Sequence, residues 1–153
     1  MSNFKRDWED FDFLSDDLKA ERLKYLENSD EYFEKIIKRF PITANRIDWD
    51  LIPHRAELIG KNYANKNEKI SAFLKDLCLS ENWDLSQDIF ICFDGYTQGA
   101  LSMKLKLLLE NAYEIFSLPQ HTYVIPENCA WCINYSFEDI LYFGYSPIVS
   151  SVL

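Results

Sequence analysis

His121-Thr-Tyr-Val-Ile125, Ala130-Trp-Cys-Ile-Asn-Tyr135 and Ile140-Leu-Tyr-Phe-Gly-Tyr145 follow one another near the end of the chain. All three are rich in β-branched and aromatic residues and short enough to be strands. Pro126-Glu-Asn128 and Ser136-Phe-Glu-Asp139 join them, and links this short suit antiparallel neighbours. In the middle run Trp131, Ile133 and Tyr135 alternate with Ala130, Cys132 and Asn134, the period of a strand with a buried face. The last run is apolar on both alternations, as in a strand covered on both sides or one with a face given to a partner.

Working back from there, Leu101, Leu105, Leu108, Ala112 and Ile115 fall within about 80° of helical arc, with Glu110 and Glu114 opposite. This predicts a long helix from about Ala100 to Phe116, closed by Pro119. Before it, Gln87 to Phe93 is a short β-prone run ending at the turn signal Asp94-Gly95. The first half predicts helices. One starts at Ser15 and carries Leu18, Leu23 and Leu26, and a second, capped by Asn28 or Ser29, carries Tyr32, Phe33, Ile36, Ile37 and Phe40. A third begins at Pro53 and carries Ala56, Leu58, Ile59 and Tyr63, while Ile70, Phe73, Leu74, Leu77 and Cys78 mark a fourth.

The expectation is one α+β domain over residues 1–153, with a helical part at about 15–80 and a strand–helix–three-strand part at about 87–146. N-terminal helices and one long central helix would pack on a small, mainly antiparallel sheet of about four strands. A chain of 153 residues that is 48% hydrophobic can build such a core without disulfides or metals.

Charge narrows the class of partner. The net charge is −9, which argues against direct binding of nucleic acid phosphates. Residues 7–17 hold six acids and no base, residues 81–153 hold nine acids against Lys104 and Lys106, and no cation follows Lys106. No stretch reaches the ~18–20 apolar residues of a membrane span, and the start of the chain lacks a secretory pattern, so a cytoplasmic protein is expected.

Few residues advertise chemistry. Cys129-Ala-Trp-Cys132 could serve redox or zinc chemistry, but it lies in a run that looks like a strand, where residues three apart face opposite ways. Core thiols are the simpler expectation for Cys78, Cys92, Cys129 and Cys132. His54 and His121 could act as bases, yet no nucleophile elbow, Walker loop or H-E-x-x-H accompanies them. No cofactor is expected. Carboxylates at Asp94, Glu110, Glu114, Glu138 and Asp139 lie among tyrosines, and such mixtures suit docking against Lys- and Arg-rich surfaces. With Tyr96 and Tyr142 as aromatic anchors, these seven residues form the candidate partner-binding set.

The segments from His121-Thr-Tyr-Val-Ile-Pro-Glu-Asn-Cys-Ala-Trp131 to Phe137-Glu-Asp-Ile-Leu-Tyr-Phe-Gly144 resemble the ends of small bacterial immunity proteins of contact-dependent growth inhibition and related polymorphic toxin systems. There a tyrosine-bearing strand, a tryptophan-bearing strand and an acidic turn recur in this order. The resemblance covers about 30 residues, and it implies a cytoplasmic, non-enzymatic protein that neutralises a cognate toxin, frequently a basic nuclease. Two rivals stay open: a small metal- or thiol-dependent enzyme using Cys129 and Cys132, and a general acidic interaction module that mimics nucleic acid.

Overall fold

A computed structural model describes residues 11–59, 65–94, 99–117 and 120–148. A 3-10 turn at Asp12–Leu14 leads into a short helix α1, Ser15–Lys19, and then into strand β1, Leu23–Leu26. Helix α2, Asp30–Arg39, is followed by a small hairpin of β2, Ile42–Thr43, and β3, Arg46–Ile47. After a 3-10 turn at Trp49–Leu51 come β4, Ala56–Ile59, and helix α3, Lys66–Ser80. Strands β5, Asp88–Asp94, and β6, Ala100–Lys104, precede helix α4, Leu105–Phe116. The meander β7, His121–Pro126, β8, Trp131–Tyr135, and β9, Ile140–Tyr145, completes the described chain.

The small sheet of about four strands is overturned. Seven strands form one sheet in the order β1-β6-β5-β7-β8-β9-β4, every pair antiparallel, and β2 and β3 make a separate two-stranded sheet. Both edge strands come from the stretch expected to be helical. The helix from Ser15 ends at Lys19, Glu21 takes a left-handed φ of 61°, and Leu23 to Leu26 pair with β6 instead. The helix expected after Pro53 is β4, which pairs Glu57 with Tyr142 and Leu58 with Leu141. Of the residues placed on that helix, Tyr63 lies outside the described residues.

The long central helix is also shorter than expected. Ala100 to Lys104 form β6, hydrogen-bonded between β1 and β5, so only Leu105–Phe116 is helical. Ala, Leu, Met and Lys are good helix formers, but pairing on both sides satisfies this backbone and overrides propensity. The helix kinks at Asn111, whose φ is −129° and whose Nδ2 donates to the Leu107 carbonyl at 3.0 Å. Such a bond to the i−4 carbonyl competes with the helical ladder.

Helices α2 and α3 form where their apolar periodicity places them. Asn28 Oδ1 accepts the Asp30 N–H at 2.9 Å, with Asp30 and Glu31 at the positive end of α2 and Lys38 and Arg39 at the negative end.

The sheet is covered on both faces. On one, α3 and α4 pack Ile70, Leu74, Leu108 and Ile115 against Ile89, Ile91, Val124 and Ile133. On the other, Tyr32, Ile36 and Phe40 of α2 join Ile47, Trp49 and Ile52 over Cys92, Tyr123, Ile125 and Cys132. Thus every residue of β8 is buried, whereas β9 sets Leu141 and Phe143 in the first cluster and leaves Tyr142 half-buried against the second. Residues 27–55 cross the second face from edge strand β1 to edge strand β4, and this path builds the candidate site.

Candidate functional site

The β2–β3 hairpin turns through Ala44 and Asn45, whose φ values are 54° and 66°. Two consecutive left-handed residues match the right-handed twist of a tight hairpin, as in a type I′ turn. Asparagine tolerates this conformation; alanine is strained by it. The hairpin stands Arg46 between two clefts on the second face of the sheet.

The first cleft, of about 280 Å³, is lined on one side by Asp48, Trp49 and Asp50 and on the other by His121, Glu138 and Tyr142. Its floor is rigid. Buried Trp49 donates its Nε1–H to Asn134 Oδ1 at 3.0 Å, and Asn134 Nδ2 donates to the Thr122 carbonyl at 3.1 Å. Trp49 and Tyr142 stack with centroids 5.1 Å apart and planes 4° apart. Gly144 permits this seating, since a Cβ there would lie 2.9 Å from Ile52 Cγ2 and 3.1 Å from Trp49 Cζ3.

Three charged or titratable groups meet at its mouth. Arg46 Nη1 donates to Glu138 Oε2 at 3.1 Å and lies 3.3 Å from His121 Nε2. The other imidazole nitrogen, Nδ1, faces the Phe137 N–H at 3.3 Å. Both ring nitrogens therefore face N–H donors, an environment that disfavours imidazolium. Burial and then Arg46 lower the pKa of His121, while Glu138 and Asp94 oppose them. Burial works against charge on Glu138, but the Arg46 hydrogen bond and other local hydrogen bonds hold its pKa below the usual value. Tyr142 is raised by burial first and then by the fields of Glu57, Glu138 and Asp50, with Arg55 opposing.

The second cleft, of about 390 Å³, is mostly apolar and is lined by Phe33, Ile36, Ile37, Ile42 and Ile47, with Asp94 among its polar residues. Ile37 is 59% exposed there although the periodicity of α2 placed it on the core-facing side. Asp94 ends β5 directly across from His121 on β7, which brings the two clefts together.

The candidate partner-binding set is thus divided. Asp94, Glu138 and Tyr142 gather around the paired clefts. Glu110 and Glu114 are exposed on α4, which covers the opposite face. Asp139 accepts the Tyr135 hydroxyl at 2.6 Å and pairs with Lys66 at 3.2 Å, beside a small cavity of about 80 Å³ that also touches Tyr113. Tyr96 lies outside the described residues. Arg46, Asp48, Trp49, Asp50 and Asn134 were not singled out from the sequence. A dipeptide of alanine and asparagine was the available sign of the turn that places them.

All four cysteines are buried and unbridged. Cys129 does not belong to the strand as expected. It precedes β8 with φ 52°, so it and Cys132 enter the same apolar cluster as Cys92 rather than diverging. Burial raises all three thiols, Cys129 to about 11, which keeps them protonated at neutral pH. Among the described residues no three His, Cys, Asp or Glu side chains are placed to hold a metal ion, and no helix is long and apolar enough to cross a membrane. His54 is exposed in the turn before β4, with a left-handed φ of 56°.

No protein-family model matches the chain, and no curated protein is significantly similar to it.

Proposed function

We propose that this protein is a non-catalytic inhibitor of the immunity type, which binds a basic protein, a nuclease toxin domain in the first instance, and covers the surface that would hold the toxin's substrate. The observation that carries this reading is an excess of negative charge held on fixed elements. Between residues 81 and 148 nine acids stand against two lysines; Lys104 pairs with Asp88 at 2.9 Å, and Arg46 and Lys66 reach Glu138 and Asp139 from elsewhere at 3.1 and 3.2 Å, which still leaves acids in excess. Glu114 sits in the last turn of α4, at the negative end of the helix, four residues after Glu110. Like charges at this spacing and a carboxylate at that end each cost a few tenths of a kcal/mol. A cationic partner reverses both costs. The carboxylates stand on a helix, strands and tight turns, so little entropy is lost when a partner docks.

Such a surface accelerates encounter with a cationic partner and does so less in salt. Purified protein should bind the toxin encoded beside its own gene, with an association rate that falls steeply between low and physiological ionic strength. Glu110→Gln with Glu114→Gln, and separately Asp94→Asn with Glu138→Gln, should slow association and flatten that salt dependence. No binding to the neighbouring toxin, or an association rate indifferent to salt, overturns the reading.

A further inference from the structure

We infer that the cleft between the β2–β3 hairpin and strands β7 to β9 is a receptor for one arginine side chain of the bound protein, with the adjoining apolar cleft taking an aliphatic neighbour of that arginine. The inference rests on the inhibitor reading for the source of the arginine. Its chemistry rests on the cleft alone.

Charge excludes an anion. Asp48, Asp50 and Glu138 contribute three negative charges to the lining, Arg46 one positive charge, and the donors around His121 favour its neutral ring. Arg46 is already committed to Glu138. Asp50 has capacity left: its side chain is 90% exposed and its ion pair, with Arg55, is long at 3.7 Å. Volume points to a side chain, since a cleft of about 280 Å³ lies at the lower edge of the range for small-molecule sites.

The shape of the lining favours guanidinium over ammonium. Half-buried Tyr142, held flat by its stack on Trp49, offers an aromatic surface beside the Glu138 and Asp50 carboxylates. A planar guanidinium stacks on such a ring and still presents a fork of N–H donors to carboxylate oxygens; a lysine ammonium cannot do both as well. Arg46 and Ile47 line both clefts, so an arginine in one places its sequence neighbour beside Phe33, Ile37 and Ile42 in the other.

The test needs no toxin. In 15N-labelled protein the Trp49 indole N–H, hydrogen-bonded to Asn134 in the cleft floor, is the reporter. Titration with Nα-acetyl-arginine amide should shift it saturably. Nα-acetyl-lysine amide should bind more weakly, and the uncharged isostere Nα-acetyl-citrulline amide should leave it unmoved. Glu138→Gln and Asp50→Asn, both at exposed positions, should each weaken the arginine probe by up to about fivefold, the scale of an exposed charge pair. Asp76→Asn, at an exposed position of α3 on the other side of the sheet, should leave it unchanged. The proposal is overturned by no saturable shift, by citrulline amide acting like arginine amide, or by Asp76→Asn weakening the probe as much as Glu138→Gln. A toxin that binds while arginine amide does not removes the receptor and keeps the inhibitor reading. Arginine amide bound with no toxin captured does the reverse.

Discussion

The two faces of the sheet are covered by different kinds of structure, and the difference locates the candidate site. On the first, α3 and α4 lay continuous apolar stripes across the strands, reinforced by stacks of Trp83 on Trp131 at 4.2 Å and Phe116 on Tyr135 at 5.3 Å. That cluster holds twice as many buried side chains as the other. On the second, one helix shares the work with a hairpin of two-residue strands and a single 3-10 turn. Elements this short cannot fill the space above a seven-stranded sheet, so two clefts remain, and polar groups from distant parts of the chain meet in them. A helix pair closes a face; a hairpin leaves it partly open.

The largest expected effect tests whether the thinner face nonetheless carries global stability. Trp49→Ala removes a buried ring, its stack and its hydrogen bond to Asn134, and should cost about 3–5 kcal/mol. Leu108→Ala, beneath the helices, should cost about 2–5 kcal/mol. Urea denaturation of both variants makes the comparison. A loss below about 1 kcal/mol for Trp49→Ala would mean that the hairpin face is a detachable cover.

Gly144→Ala sharpens the same point from below. The added methyl presses on Ile52 and Trp49, and overpacking of this kind costs roughly 1–3 kcal/mol. It should also displace the Trp49 indole resonance, whereas a substitution in α3 should not. Ala44→Gly acts in the opposite direction. It removes the left-handed strain at the hairpin tip and should stabilise the protein by about 0.5–1 kcal/mol, read as a higher urea midpoint.

The smallest effect is on pH dependence. The folded ring of His121 binds its proton less readily than the unfolded ring, whose reference value is 6.5. Its contribution is therefore complete above about pH 6.5 and is lost as pH falls through the lowered folded value. His121→Gln should flatten the fall in stability between about pH 7 and pH 5, measured as urea midpoints across that range. A steeper fall in the variant would show that the ring is held as imidazolium.

What the sequence made legible followed from local interactions. Strands β7 to β9 pair with near neighbours through short links, and α2 and α3 carry full apolar periodicity, so each reveals itself within a dozen residues. Strands β1, β4 and β6 do not. Leu23 finds Met103 and Glu57 finds Tyr142 across some eighty residues, and nothing within Leu23-Lys-Tyr-Leu26 or Ala56-Glu-Leu-Ile59 encodes that pairing. The proline of Pro53 fitted a helix start as readily as the turn it occupies. For the candidate site the acids and tyrosines were visible, and Asp94, Glu138 and Tyr142 do come together. Their framework of Arg46, Trp49 and Asn134 was hidden, because it depends on residues 27–55 being drawn over the sheet.

That crossing also sets an order of events during synthesis. Strand β1 must await β6, and β4 must await β9, so residues 23–59 leave the ribosome with two sheet edges and no sheet between them. Chains emerge at roughly 5–20 residues per second, so β4 is without its partner for several seconds. Its row of open N–H and C=O groups is then available to any other extended chain. Contacts this distant in sequence also slow folding. A cell that makes this protein in quantity is helped by a chaperone that holds the early edges apart, or by starting chains seldom enough that nascent copies do not meet.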